Sequence, residues 1–117
     1  MTQEEKELLL RDLCARFPYG VKVYGNYRYS NGDEIVDDKK IKVLDLSALD
    51  WFVNGIDIKP YLRPMSKMTE KEEEEYEKVI RGSFEKQLEF YLRNHLDFRG
   101  LIPKGLALEA LDGMYNK

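Results

Sequence analysis

General acid–base and nucleophilic catalysis need a poised group held by an orienting partner, and the chain offers one histidine, His95, and one cysteine, Cys14. Neither sits in a nucleophile motif. His95 falls near the end of an apolar-periodic stretch, where an imidazolium suits a helix C-terminus. Cys14 lies inside an apolar helical stripe and reads as a small buried hydrophobe rather than a reactive thiol. Two such residues are too few for a zinc site. Asp33, Glu34, Asp37 and Asp38 cluster where turns are expected, but without the alternating ligands, central glycine and terminal glutamate of an EF-hand they read as a solvated turn. The run Glu72 to Glu75 reads as an acid-rich helix start. No Walker motif and no GxGxxG occurs, and Gly100 to Gly105 lacks the strand-loop-helix context of a phosphate loop. The sequence therefore predicts no catalytic residue, no metal ligand set and no cofactor.

The remaining chemistry is aromatic. Of eight tyrosines, Tyr19, Tyr24, Tyr27 and Tyr29 crowd one stretch beside Lys22 and Arg28, a combination able to stack on bases or grip a protein groove. Tyrosine also favours strands for packing reasons alone. The binding residues expected from this pattern are Lys22, Tyr24, Tyr27, Arg28 and Tyr29. Residues 18 to 63 carry seven charges of each sign within a net charge of −3, so the basic footprint that nucleic-acid phosphates reward is missing. Another protein is the expected partner. Single-stranded nucleic acid bound through Lys22, Tyr24, Tyr27, Arg28 and Lys42 is the alternative, and a small enzyme working with carboxylates alone is a weaker third.

The elements that must position these residues follow from capping and period. Thr2 with Glu5 has capping-box spacing, and Leu9, Leu10, Leu13, Cys14 and Phe17 recur at helical intervals up to Pro18, predicting a helix over 3–16. Val21, Val23, Tyr27 and Tyr29 then alternate with Lys22, Tyr24, Asn26 and Arg28, the period of a strand. Asn31-Gly32 suits a tight hairpin turn into a returning strand at Glu34 to Val36. After the polar break Asp37-Asp38-Lys39-Lys40, the runs Ile41 to Leu46, Trp51 to Val53 and Ile56 to Ile58, the last two separated by Asn54-Gly55, read as further short strands. A meander of four to five antiparallel strands over 20–63 results, expected to curl into a small SH3-like barrel because few strands must cover their own edges. Pro60 and Pro64 bracket an extended connector. Thr69 with Glu72 repeats the capping box and starts a long helix over 70–94, its apolar positions staying in phase across Gly82. Residues 97–117, cut by Gly100, Pro103 and Gly105, are too apolar for a free tail and are expected to pack back as a closing segment.

The strings KPYLRPMSKMTEKEEEEY (59–76), DFRGLIPKGLALEALDGMY (97–115) and LLLRDLCARFPYGVKV (8–23) resemble small hypothetical proteins encoded in Bacteroidales genomes and their prophages. The resemblance implies a bacterial, mobile-element setting, and because that group carries no assigned activity it transfers no functional residue.

At 117 residues, 43% hydrophobic and 35% charged, the chain matches a single α+β domain with one ordinary core. The acidic start MTQEEKELLL lacks the basic region of a signal peptide, and no run approaches the roughly 18 apolar residues of a membrane span. A cytoplasmic location is the expectation.

Overall fold

The computed structural model describes the backbone of residues 1–31 and 34–115, and the side chains of residues 1–25 and 41–115. The chain falls into two compact units, Met1–Pro60 and Tyr61–Lys117.

The first unit opens with α1 (Gln3–Arg16). Its N-terminus is closed by the expected capping box: the Glu5 N–H donates to Thr2 Oγ1 at 3.1 Å and the Thr2 N–H to Glu5 Oε1 at 2.9 Å. The buried face runs Leu9, Asp12, Leu13, Arg16, an i, i+3, i+4, i+7 stripe that takes in two charges. Asp12 and Arg16 are fully buried and form an ion pair at 2.8 Å. Cys14 is exposed rather than buried, because one residue past Leu13 is a rotation of about 100° round the helix. Pro18 ends α1 in a 3-10 turn at Phe17–Tyr19, with Gly20 left-handed at φ 70°.

Strands β1 (Lys22–Asn31) and β2 (Glu34–Val43) pair antiparallel in one unbroken register from Lys22↔Val43 to Asn31↔Glu34. The run Asp37 to Lys40, expected as a break between strands, lies inside β2; an outer strand has no second neighbour to exclude polar residues. The turn conformation expected at Gly32 lies outside the described residues. Trp51 to Val53, expected as a strand, belongs to α2 (Leu46–Val53), whose first turn is capped by the Asp45 carboxylate accepting from the Ala48 N–H at 2.8 Å. Asn54-Gly55 is accordingly the end of that helix rather than a hairpin turn. The Gly55 N–H donates to Phe52 O at 3.1 Å and the Ile56 N–H to Trp51 O at 2.9 Å, the paired bonds of a Schellman closure. Gly55 sits at φ 99° with nothing within 4 Å of an added Cβ. Gly55→Ala is therefore expected to cost about 1 to 2 kcal/mol through backbone strain alone, read from the urea midpoint at unchanged slope.

Strand β3 (Asp57–Leu62) pairs antiparallel with β1 from Val23↔Pro60 to Asn26↔Asp57. Its last two residues pair parallel with β4 (Leu108–Glu109), giving the strand order β2-β1-β3-β4. The sheet is mixed and open, with β2 and β4 as its edges, so the barrel is not formed. The described residues of 20–63 supply three strands rather than four or five, because β2 joins two of the expected strands and α2 takes the place of another. The buried apolar residues of this unit are Leu9, Leu13, Val21, Val23, Leu44, Ala48, Phe52 and Ile58.

In the second unit the helix expected over 70–94 is two helices, α3 (Glu70–Val79) and α4 (Phe84–Arg93). Gly82 costs a helix interior about 1 kcal/mol, while Ser83 is a favoured N-cap. Its Oγ accepts from the Lys86 N–H at 3.3 Å, and its backbone is extended at ψ 156°, so the chain restarts instead of bending. The helices pack as a hairpin through Tyr76 on Phe90, ring centroids 5.9 Å apart, and Arg93 on Glu75 at 2.7 Å. Ile80 and Phe84 at its tip are exposed, although a single helix in phase across Gly82 would have set both on its apolar face. The closing segment is part of the fold. Leu101, Leu106 and Ala107 are buried, and the buried Asp97 carboxylate accepts from the Leu101 and Ile102 N–H groups at 2.7 and 2.9 Å. The Tyr115 hydroxyl donates to Tyr61 O at 2.7 Å.

Candidate functional site

The register places Lys22 and Tyr24 of β1 directly opposite Val43 and Ile41 of β2, and Tyr24 opposite Lys59 of β3. Residues facing each other across an antiparallel pair share a sheet face, so these five occupy one side of the sheet. Val21, Val23 and Ile58, fully buried, occupy the other. The first side is open: Lys22, Tyr24 and Lys59 are half-buried, and Ile41 and Val43 are 49% and 51% exposed on the edge strand.

Of the residues expected to bind, Lys22 and Tyr24 are brought together on this open face. Tyr27, Arg28 and Tyr29 pair by backbone with Asp38, Asp37 and Val36, and their side chains lie outside the described residues. Lys42 is separated from the group. It pairs with Val23 on the opposite face, with its ammonium 3.1 Å from Asp45 and 4.5 Å from the centre of the Trp51 ring. The Asp45 carboxyl is held below its ordinary range by the Ala48 N–H first, against the opposing effect of burial, and with the help of Lys42. The apolar pair Ile41 and Val43 was not singled out in the sequence. The alternation I-K-V was the available signal, and only the pairing order shows that its strand is an edge.

The second unit concentrates its buried charge at Arg63, an isolated residue between two prolines that gave no sequence signal. Its guanidinium forks onto Glu72, at 2.7 Å to Oε2 and 2.6 Å to Oε1, and also donates to Asn94 O at 3.0 Å and Lys67 O at 3.2 Å. Its backbone N–H donates to His95 O, and its carbonyl accepts from the Asp97 N–H. One side chain thereby ties the end of β3 to the start of α3 and the end of α4. Burial pushes the Glu72 carboxyl up, but hydrogen bonds from Arg63 and the Thr69 N–H, with the attraction of Arg63, hold it down at about 2. A carboxyl lowered in the folded state contributes stability that is full above its unfolded value and lost as pH falls through the folded one. From 4.5 to about 2, the contribution is about 3 kcal/mol. Acid titration of the unfolding free energy should show this loss between roughly pH 5 and 2, and Glu72→Gln should flatten that limb.

His95 ends α4 at φ 57°, the one positive-φ residue other than glycine among the described residues. Its N–H donates to Leu92 O and the Leu96 N–H to Tyr91 O, the closure that glycine makes after α2. The imidazole stacks on Tyr115 with centroids 3.9 Å apart. Beside it a cleft of about 140 Å³ is lined by Arg63, Lys67, Thr69, Glu109, Asp112 and Tyr115. The Lys67 ammonium is paired to Glu109 in this lining, which raises its pKa. A second aromatic group, Tyr76, Phe90, Tyr91 and Phe98, has successive centroids 5.0 to 6.0 Å apart. Burial, then its hydrogen bond with Tyr76, pushes the Tyr91 phenol up to about 12, which keeps it protonated throughout the physiological range. Cys14 and His95 fall in different units.

Among the described residues, no group of three or more His, Cys, Asp or Glu is placed to hold a metal ion. None of the described helices is long and apolar enough to cross a membrane. What the geometry offers for recognition is the open face and free edge of the β1/β2 hairpin. Compared with protein families, curated proteins and solved structures, the chain matches none.

Proposed function

We propose that the chain is a non-enzymatic protein-interaction module that presents the open face and outer edge of β2, backed by Tyr24 and Lys22 of β1, to a protein partner. The observation that carries this reading is the half-exposed pair Ile41 and Val43 on a strand that, among the described residues, is bonded on one side only. An apolar edge is a pairing hazard unless something covers it. An aromatic and two β-branched side chains flanked by lysines make a small anchor with a polar rim. Following the resemblance, the same proposal sets the module in the bacterial cytoplasm, on a mobile element. Nucleic-acid binding has less support, because Lys42 is held to Asp45 and Trp51 on the far face.

The test is affinity capture from a Bacteroidales lysate with the wild-type chain and with Ile41→Lys/Val43→Lys as baits. Both substituted residues are half exposed, so the melting temperature should be kept. Specific capture should fall at least ~10-fold, the equivalent of losing one anchor residue. Capture unaffected by the double substitution would overturn the proposal, as would retardation of a single-stranded oligonucleotide that weakens steeply with salt.

A further inference from the structure

We propose that the partner seated on the β2 edge is a second copy of the chain, joined by antiparallel β2-to-β2 pairing about a two-fold axis. This rests on the reading of β2 as the contact strand and adds what covers it. Strand β2 is ten residues long and, among the described residues, pairs with β1 alone. Its sequence EIVDDKKIKV segregates charge: Glu34, Asp37 and Asp38 come first, and Lys39, Lys40 and Lys42 follow. Edge lysines ordinarily discourage strand pairing, but here three acids balance them. A strand so divided repels a parallel copy in register and complements an antiparallel one.

Symmetry narrows the register. The two-fold that pairs an edge with itself antiparallel stands normal to the sheet and keeps both open faces on one side, so residues that face each other have numbers of the same parity. Centred on Asp38, the register sets Asp37 opposite Lys39 of the second copy, Val36 opposite Lys40, Ile35 opposite Ile41, and Glu34 opposite Lys42, which also holds Asp45 of its own chain, each pair occurring twice. Only Asp38, on the axis, meets its own kind. Centring on Lys39 would keep Asp38 opposite Lys40 and Ile35 opposite Val43, but it would set Asp37 opposite Ile41 and leave one opposite-charge pair in place of two. Of these two registers, the Asp38 one brings the exposed Ile41 against an apolar residue.

The experiment is sedimentation equilibrium of the full chain at about 100 µM, where the population of a homodimer follows protomer concentration. The expected mass is twice the 13.8 kDa of the chain, falling toward one chain as salt screens the charge pairs. Lys39→Asp/Lys40→Asp and Asp37→Lys/Asp38→Lys should each weaken association at least ~10-fold, and the four-residue exchange should restore it, since opposite charges across a pair attract and like charges repel. A register readout that leaves most of these charges in place is Asp38→Cys in a Cys14→Ser background, which should oxidise to a covalent dimer while Val43→Cys in the same background does not. A wild-type mass of one chain at low salt would overturn the proposal. So would charge variants that associate as the wild type does. A monomeric wild type whose Ile41→Lys/Val43→Lys variant still loses capture of a different protein defeats the dimer and leaves the interaction module standing.

Discussion

Replacing Arg63 with methionine is expected to destabilise the protein by about 3 to 5 kcal/mol, because it leaves Glu72 charged, buried and without its fork. The same substitution frees Asn94 O and Lys67 O, both bonded to the guanidinium. With roughly 4 to 8 °C per kcal/mol in small domains, the melting temperature should fall by more than about 10 °C. Arg63→Met/Glu72→Leu should recover a substantial part of that loss, since an apolar pair of similar volume escapes the desolvation cost that the ion pair carries. The cycle of single and double variants isolates the coupling. A loss under about 1 kcal/mol for the single variant would be the value of a solvated surface pair. It would mean that Arg63 does not hold the second unit together.

Deleting residues 100–117 is expected to lower the melting temperature by about 10 °C or more, or to give insoluble protein, on the same scale per kcal/mol. The segment carries Leu101, Leu106 and Ala107, all buried, and β4, which covers the end of β3. It also removes the Tyr115 hydroxyl from Tyr61 O and the Tyr115 ring from His95. Two buried leucines alone contribute about 3 to 6 kcal/mol, a large share of a net stability of about 5 to 15 kcal/mol. Scanning calorimetry of the truncated chain decides it. A deletion that melts like the full chain would make the segment a docking peptide instead of core.

The α+β class, both capping boxes, the start of each flanking helix and the packing of the closing segment could be read directly from residue type and spacing. What failed did so where one local signal serves two structures. Asn54-Gly55 supplies the positive φ of a hairpin turn and of a helix C-terminus alike, and α2 is too short for its Ala48–Phe52 spacing to outweigh the strand propensity of Trp51 to Val53. The in-phase apolar residues of α3 and α4 concealed the restart at Ser83, since a hairpin of two helices buries the same positions as one bent helix. Asp12 and Arg16 lie at i, i+4 on the buried face, where charge gives no sequence signal of burial because charged residues are mostly exposed. Of the site, Lys22 and Tyr24 were legible from alternation. That Ile41 and Val43 complete their face depends on the pairing order β2-β1-β3, which no local pattern encodes.

Amide hydrogen exchange of the chain diluted to its monomer and of its complex with the captured partner locates the contact surface directly. Peptides covering β2 and the first residues of β1 should exchange more slowly in the complex, as a newly paired edge must. Peptides across α3 and α4, including the exposed Ile80 and Phe84, should be unchanged. Protection confined to that helical tip, with β2 exchanging as in the free chain, would contradict the assignment of the open sheet face as the site of recognition.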